Sequence, residues 1–135
     1  VRERISRFVR QGGLLLILGQ PEDWPPEALP VRIAPTPARL EGSGWEVSER
    51  AHRVFSTPYT IYTRRLTETV GSQELSVPAT IEQGKKLITD QRGRALVTVI
   101  NMGEGQIIYC GFPLLARIGA LEINAIHLLA NLVSQ

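Results

Sequence analysis

The passage that most constrains this chain runs from Arg7 to Gly19, Arg-Phe-Val-Arg-Gln-Gly-Gly-Leu-Leu-Leu-Ile-Leu-Gly. Two glycines separate a charged segment from a run without a polar side chain. At about 100° per residue, Val1, Ile5, Phe8 and Val9 share one arc of a helix, and Glu3, Arg4, Arg7 and Arg10 the opposite one. Gly12 and Gly13 supply the left-handed stop common at helix ends, and the late arginines suit the helix dipole. Leu14 to Leu18 does not alternate, so both faces of that strand need cover, as in a parallel sheet layered with helices. The passage reads as the later half of a βαβ unit, with the strand that should precede it expected upstream of Val1.

The stretch from 20 to 58 is broken by Pro21, Pro25, Pro26, Pro30, Pro35, Pro37 and Pro58, which excludes long helices. Val31–Ile33 and Trp45–Val47 are expected as short strands in a long excursion at the edge of one domain, the kind of segment that carries specificity or a partner surface. Strand character returns in Thr60–Thr63, Ala79–Gln83 and Lys86–Thr89. Two hairpins follow: Gln91–Arg94 leads into Ala95–Ile100, and Asn101–Gln106 leads into Ile107–Gly111. A closing helix is expected over Leu121–Val133, with Glu122 in its first turn. Its broad apolar arc includes Leu121, Ala125, Ile126, Leu128, Leu129, Leu132 and Val133, and its polar stripe is Asn124, His127, Asn131 and Ser134. The expected fold is a single α/β domain over residues 1–135: a layered sandwich, its mixed sheet having a parallel core and C-terminal antiparallel hairpins.

Composition excludes several function classes. The chain has 135 residues and a net charge of +2, too small an excess to point to nucleic acid, which needs a concentrated basic patch. A single cysteine excludes an internal disulfide and a thiolate zinc cluster and leaves the compartment undetermined. The Leu14–Leu18 run is far short of the roughly 20 residues that a membrane helix requires, so membrane insertion by this segment is not expected.

Two phrases resemble a known family. One is Ser6-Arg7-Phe8-Val9-Arg10-Gln11-Gly12-Gly13-Leu14-Leu15-Leu16-Ile17-Leu18-Gly19. The other is Gly103-Glu104-Gly105-Gln106-Ile107-Ile108-Tyr109-Cys110-Gly111-Phe112-Pro113, followed by Asn124 and the helix through Leu132. They are similar to the class I glutamine-amidotransferase-like domains, which implies a flavodoxin-like α/β sandwich. The closer likeness is to the catalytically silent branch found in bacterial proteins. Active members place a cysteine on a strand-to-helix elbow and orient it with a later His-x-Glu. Here the elbow falls near Gly19-Gln20-Pro21, which has no nucleophile. His52 and His127 are followed by Arg53-Val54 and Leu128-Leu129, so the triad is missing.

The remaining candidates are weaker. Cys110 reads as a buried small hydrophobe. His127 lacks companions at ligand spacing for a metal, so neither metal nor cofactor is expected. His52 reads as a turn or edge residue, and Gly103-Glu104-Gly105 as a bulged hairpin, since a dinucleotide loop would lead into a helix. Ligands of open α/β sheets gather at the carboxyl ends of strands, which nominates Gly19, Gln20, Gly111, Phe112 and Pro113 as ligand-binding residues. The expected function is a non-catalytic interaction or ligand-binding module of a larger protein, its partner being another protein, a domain of the same chain or a small molecule. The alternatives are an amidotransferase-type or hydrolytic enzyme completed by residues outside this segment, and a self-assembling domain that covers an open sheet edge with a second copy.

Overall fold

The computed structural model describes residues 2–18, 30–33, 38–39, 45–63 and 75–135. Helix α1 (Arg2–Arg10) leads through Gly12, at φ 109°, into strand β1 (Leu14–Leu18). Short strands β2 (Val31–Ile33), β3 (Ala38–Arg39) and β4 (Trp45–Val47) precede a 3-10 turn over Arg53–Phe55. Strands β5 (Leu75–Ser76), β6 (Ala79–Ile81), β7 (Lys85–Asp90), β8 (Ala95–Met102) and β9 (Gly105–Cys110) follow, and then helices α2 (Leu114–Gly119) and α3 (Ile123–Val133).

The main sheet is mixed. Its path runs β1-β9-β8-β6-β2, with β7 also on β8 and β4 on β7. Among the described residues the parallel core reduces to one pair, β1 with β9, and every other pairing in this sheet is antiparallel. Both expected hairpins form. Asp90 shapes the first: Oδ1 accepts from the amides of Arg92 (3.0 Å) and Arg94 (2.8 Å), and Oδ2 accepts from Arg94 Nε (2.9 Å). The second turns on Gly103-Glu104 alone, with Met102 paired to Gly105 and Gly103 at φ 62°, a left-handed position that suits glycine in a two-residue loop.

Alternation along β9 divides the core. Ile107 and Tyr109 pack with Val9 of α1 and Ile17 of β1, while Ile108 and Cys110 join Leu128 and Leu132 of α3. On β1 the two faces split the same way, Leu15 and Ile17 toward α1, and Leu14, Leu16 and Leu18 toward α3. The uninterrupted apolar run of β1 thus serves two cores.

Backbone also passes close to both ends of β9. A Cβ on Gly105 would lie 2.0 Å from the Val9 carbonyl oxygen, and one on Gly111 would lie 1.8 Å from that of Val77. Around Gly111 the chain is locked by Gly111 N–H to Leu96 O (2.6 Å), by Val77 N–H to Gly111 O (2.9 Å) and by the buried Tyr109 hydroxyl, which donates to Val77 O.

Several expectations need correction. Thr60–Thr63 is not a strand. Instead, α3 holds this region by its peptide groups: Asn131 Oδ1 accepts from Tyr59 N–H (2.9 Å), while its Nδ2 donates to Val54 O and Tyr59 O (2.7 Å each). Asn124 brackets Tyr62 in the same way, accepting from its N–H (2.9 Å) and donating to its carbonyl (3.0 Å). His127, between them, stacks on Tyr59 with ring centroids 4.4 Å apart. Asn124, His127 and Asn131 of the polar stripe therefore form an internal clamp, with Asn131 completely buried, whereas Ser134 is exposed. Phe8, expected with the core residues of α1, is 56% exposed and covers Gly13, where a Cβ would strike its ring. Helix α3 starts at Ile123, leaving Leu121 outside it at φ 59°. Its apolar arc also splits: Ala125, Leu128 and Leu132 face the sheet, whereas Ile123, Ile126 and Val133 are exposed.

Two substitutions test these locks. Gly111→Ala drives a methyl into the Val77 carbonyl, and chemical denaturation is expected to show a loss of about 3 kcal/mol or more, the upper range for overpacking. Asn131→Ala strands two carbonyls and one amide and is expected to cost about 2–4 kcal/mol. In that variant, hydrogen exchange should rise first at Tyr59.

Candidate functional site

The described ends of the two strands nominated by the sequence lie side by side, Leu18 of β1 pairing with Cys110 of β9. Gly19 and Gln20 fall outside the described residues. Gly111 and Phe112 are buried and Pro113 is half-buried. The Phe112 ring lies 4.6 Å beneath the Arg117 guanidinium, itself buried and 3.6 Å from the Glu122 carboxylate. Pro113 opens α2 as its N-cap, so this corner is built of packed side chains and used backbone groups.

Cys110 is 1% exposed. Burial pushes its thiol up to about 12, only partly offset by a backbone hydrogen bond from Phe112. A nucleophile needs the opposite shift and a base within reach. Neither histidine is in position to serve it. His127 is stacked on Tyr59. The Nδ1 of His52 accepts from Val54 N–H at 3.2 Å and so caps the 3-10 turn. The pKa of His52 is lowered, first by burial and then by Lys85 and Arg53, with Glu49 acting in the opposite sense. Tyr109 is raised far above the ordinary phenol range, mainly by burial. Among the described residues no group of three metal-ligating side chains comes together, and no helix is long and apolar enough to cross a membrane.

A polar cleft opens at the other end of the sheet, beside the amino ends of β1 and β9. Its volume is about 320 Å³, and it lies between the His52-Arg53 turn and the β8–β9 hairpin with Asn101, Glu104 and Gln106. Nothing in the sequence groups this set, since the residues come from separate segments and follow no period. The available signal was Gly103-Glu104-Gly105, which forms a hairpin of unbroken register rather than the bulged one expected, and also one wall of the cleft.

No family model matches the chain, and no curated protein does. Among solved structures it is similar to the exo-β-1,4-mannosidase Op5Man5 from Opitutaceae bacterium strain TAV5, at 16% identity and a TM-score of 0.49. The match covers 98% of this chain and 22% of that one, so the chain spans about a fifth of that enzyme's length. At that level of likeness nothing about activity carries over.

Two outcomes follow from this geometry. An aromatic disulfide reagent is expected to leave Cys110 untouched in the native protein and to titrate it fully in denaturant. His52 is held below its ordinary 6.5 in the fold, so its contribution to stability is complete above about pH 6.5 and is lost as pH falls through the lowered folded value. Thermal melts against pH should show that loss, and His52→Asn, which keeps an acceptor for Val54 N–H, should remove it.

Proposed function

We propose that the chain is a non-catalytic interaction module of a larger polypeptide, built on a flavodoxin-like, amidotransferase-like sandwich. The observation that carries this reading is a set of exposed apolar side chains at the α2–α3 junction and along α3. Leu115, Leu121, Ile123, Ile126 and Val133 are 40–79% exposed there, and α3 contains no charged residue. Ile123, Ile126 and Val133 recur at helical spacing, and exposed apolar residues on one helix face mark an interaction surface. Leu121 is the most exposed of them at 79% and sits in the left-handed region, a conformation costly for a non-glycine residue. The inaccessible, high-pKa thiol of Cys110 supports the non-catalytic half of the reading. The pairing of β1 with β9 and the division of core residues between α1 and α3 support the layered scaffold.

A second reading, self-assembly, is favoured by β1. It ends the sheet path with a partner on one side only among the described residues, and its sequence has none of the charges or prolines that usually protect an edge.

The module is expected to release no ammonia from glutamine and to resist labelling at Cys110 by a glutamine analogue, and labelling would refute the non-catalytic reading. Ile123→Ser with Ile126→Ser should keep the fold and reduce binding of a hydrophobic dye, and unchanged dye binding would remove the surface argument. Light scattering separates the second reading, since a monodisperse monomer rejects self-assembly.

A further inference from the structure

The cleft at the amino ends of β1 and β9 has the makings of a small-ligand site distinct from the α3 face, and either can fail without the other. Its volume of about 320 Å³ falls within the range of small-molecule pockets. Both walls are held by backbone. On the hairpin side, Glu104 N–H bonds to Arg10 O (2.9 Å) and Gln106 N–H to Gly13 O (3.1 Å). On the other side, His52 is fixed by its N–H to Glu49 O (3.0 Å), by Phe55 N–H to its own carbonyl (2.9 Å) and by its ring cap on Val54.

The polar groups on these walls are complementary to one ligand class. With Nδ1 accepting from Val54, the proton of a neutral His52 ring sits on Nε2, which is then a donor. Arg53 follows directly in sequence, and it forms no ion pair with a described residue. Glu104 lines the same cleft, and no ion pair joins it to Arg53. Both residues line the cleft, and a guanidinium together with an N–H donor suits a carboxylate, which arginine binds through two parallel hydrogen bonds. Across the cleft, Gln106 Nε2 donates to Asn101 Oδ1 at 3.2 Å. That leaves Gln106 Oε1 as an acceptor and Asn101 Nδ2 as a donor. Such a mixed pair matches hydroxyl groups, which both give and accept, better than an ammonium, which only gives.

We propose that this cleft binds a small hydroxylated carboxylate, its acid group held by Arg53 and the Nε2–H of His52, and its hydroxyls by Asn101, Glu104 and Gln106. The test is an amide chemical-shift titration of the whole chain with D-gluconate, with D-glucose and acetate as probes lacking one half of the chemistry. Gluconate is expected to give saturable shifts at Arg53, Asn101, Glu104 and Gln106. Glucose and acetate should each bind at least about tenfold more weakly, as should gluconate to Arg53→Gln, the size expected for losing a charge-assisted pair. Arg53 is exposed, so that variant keeps the core, and the same spectrum reports its fold. Arg92→Gln, which removes an equal charge on the β7–β8 turn, should leave binding unchanged. The proposal is overturned by the absence of saturable shifts at the cleft, by glucose or acetate binding as well as gluconate, or by equal weakening in the two arginine variants.

Discussion

Strand β9 is pinned at both ends by backbone that passes too close for any side chain. At Gly105 the neighbours are the carbonyls of Val9 and Gly13, and at Gly111 the neighbour is that of Val77. The first approach seats the α1–β1 turn against the β8–β9 hairpin, which sets the β1–β9 pairing from Leu14 to Leu18. The second ties the 75–78 region to the far end of the same strand through Tyr109, Val77 and Leu96. Between these points β9 alternates Ile107 and Tyr109 into one core and Ile108 and Cys110 into the other. Close packing transmits small shifts, so a displacement of β9 would disturb both cores together.

The parts of the fold legible in the sequence are those whose pattern is local. The charged arc and double glycine of α1, the unbroken Leu14–Leu18 run and the Gln91–Arg94 and Asn101–Gln106 connections all carry their own signals, and the helix, strand and two hairpins form there, the second hairpin on a tighter turn than expected. Thr60–Thr63 shows the limit. Its β-branched and aromatic residues favour extended backbone, and the backbone groups of Tyr59 and Tyr62 do find partners, but these are asparagine side chains on α3. Nothing near Tyr62 in sequence announces an acceptor at Asn124. Helix α2, by contrast, was readable in principle, because Pro113 stands where a helix begins.

The candidate site divides along similar lines. The structural fate of Cys110 followed from residue type, since no base or cation stood near it in sequence. The carboxyl-end rule led to Gly111–Pro113, whose groups are spent on the Val77 and Leu96 contacts and on α2. The polar cleft forms at the opposite end, where the 52–53 turn meets the β8–β9 hairpin. That juxtaposition depends on how Val54 and Phe55 enter the core beside α3, a tertiary fact that no spacing rule records.

The clamp on α3 carries one further consequence. Asn124 and Asn131 grip the amides and carbonyls of the passing chain, while the ring of Tyr59 stacks on His127 and Ile61 enters the core. A strand in a sheet must keep an alternating pattern to hold its register, whereas a chain moored by its peptide bonds does not. The 59–62 path can therefore stay fixed while the identity of the exposed Thr60 drifts, giving the domain a stretch of surface whose course is set by its neighbour rather than by its own composition.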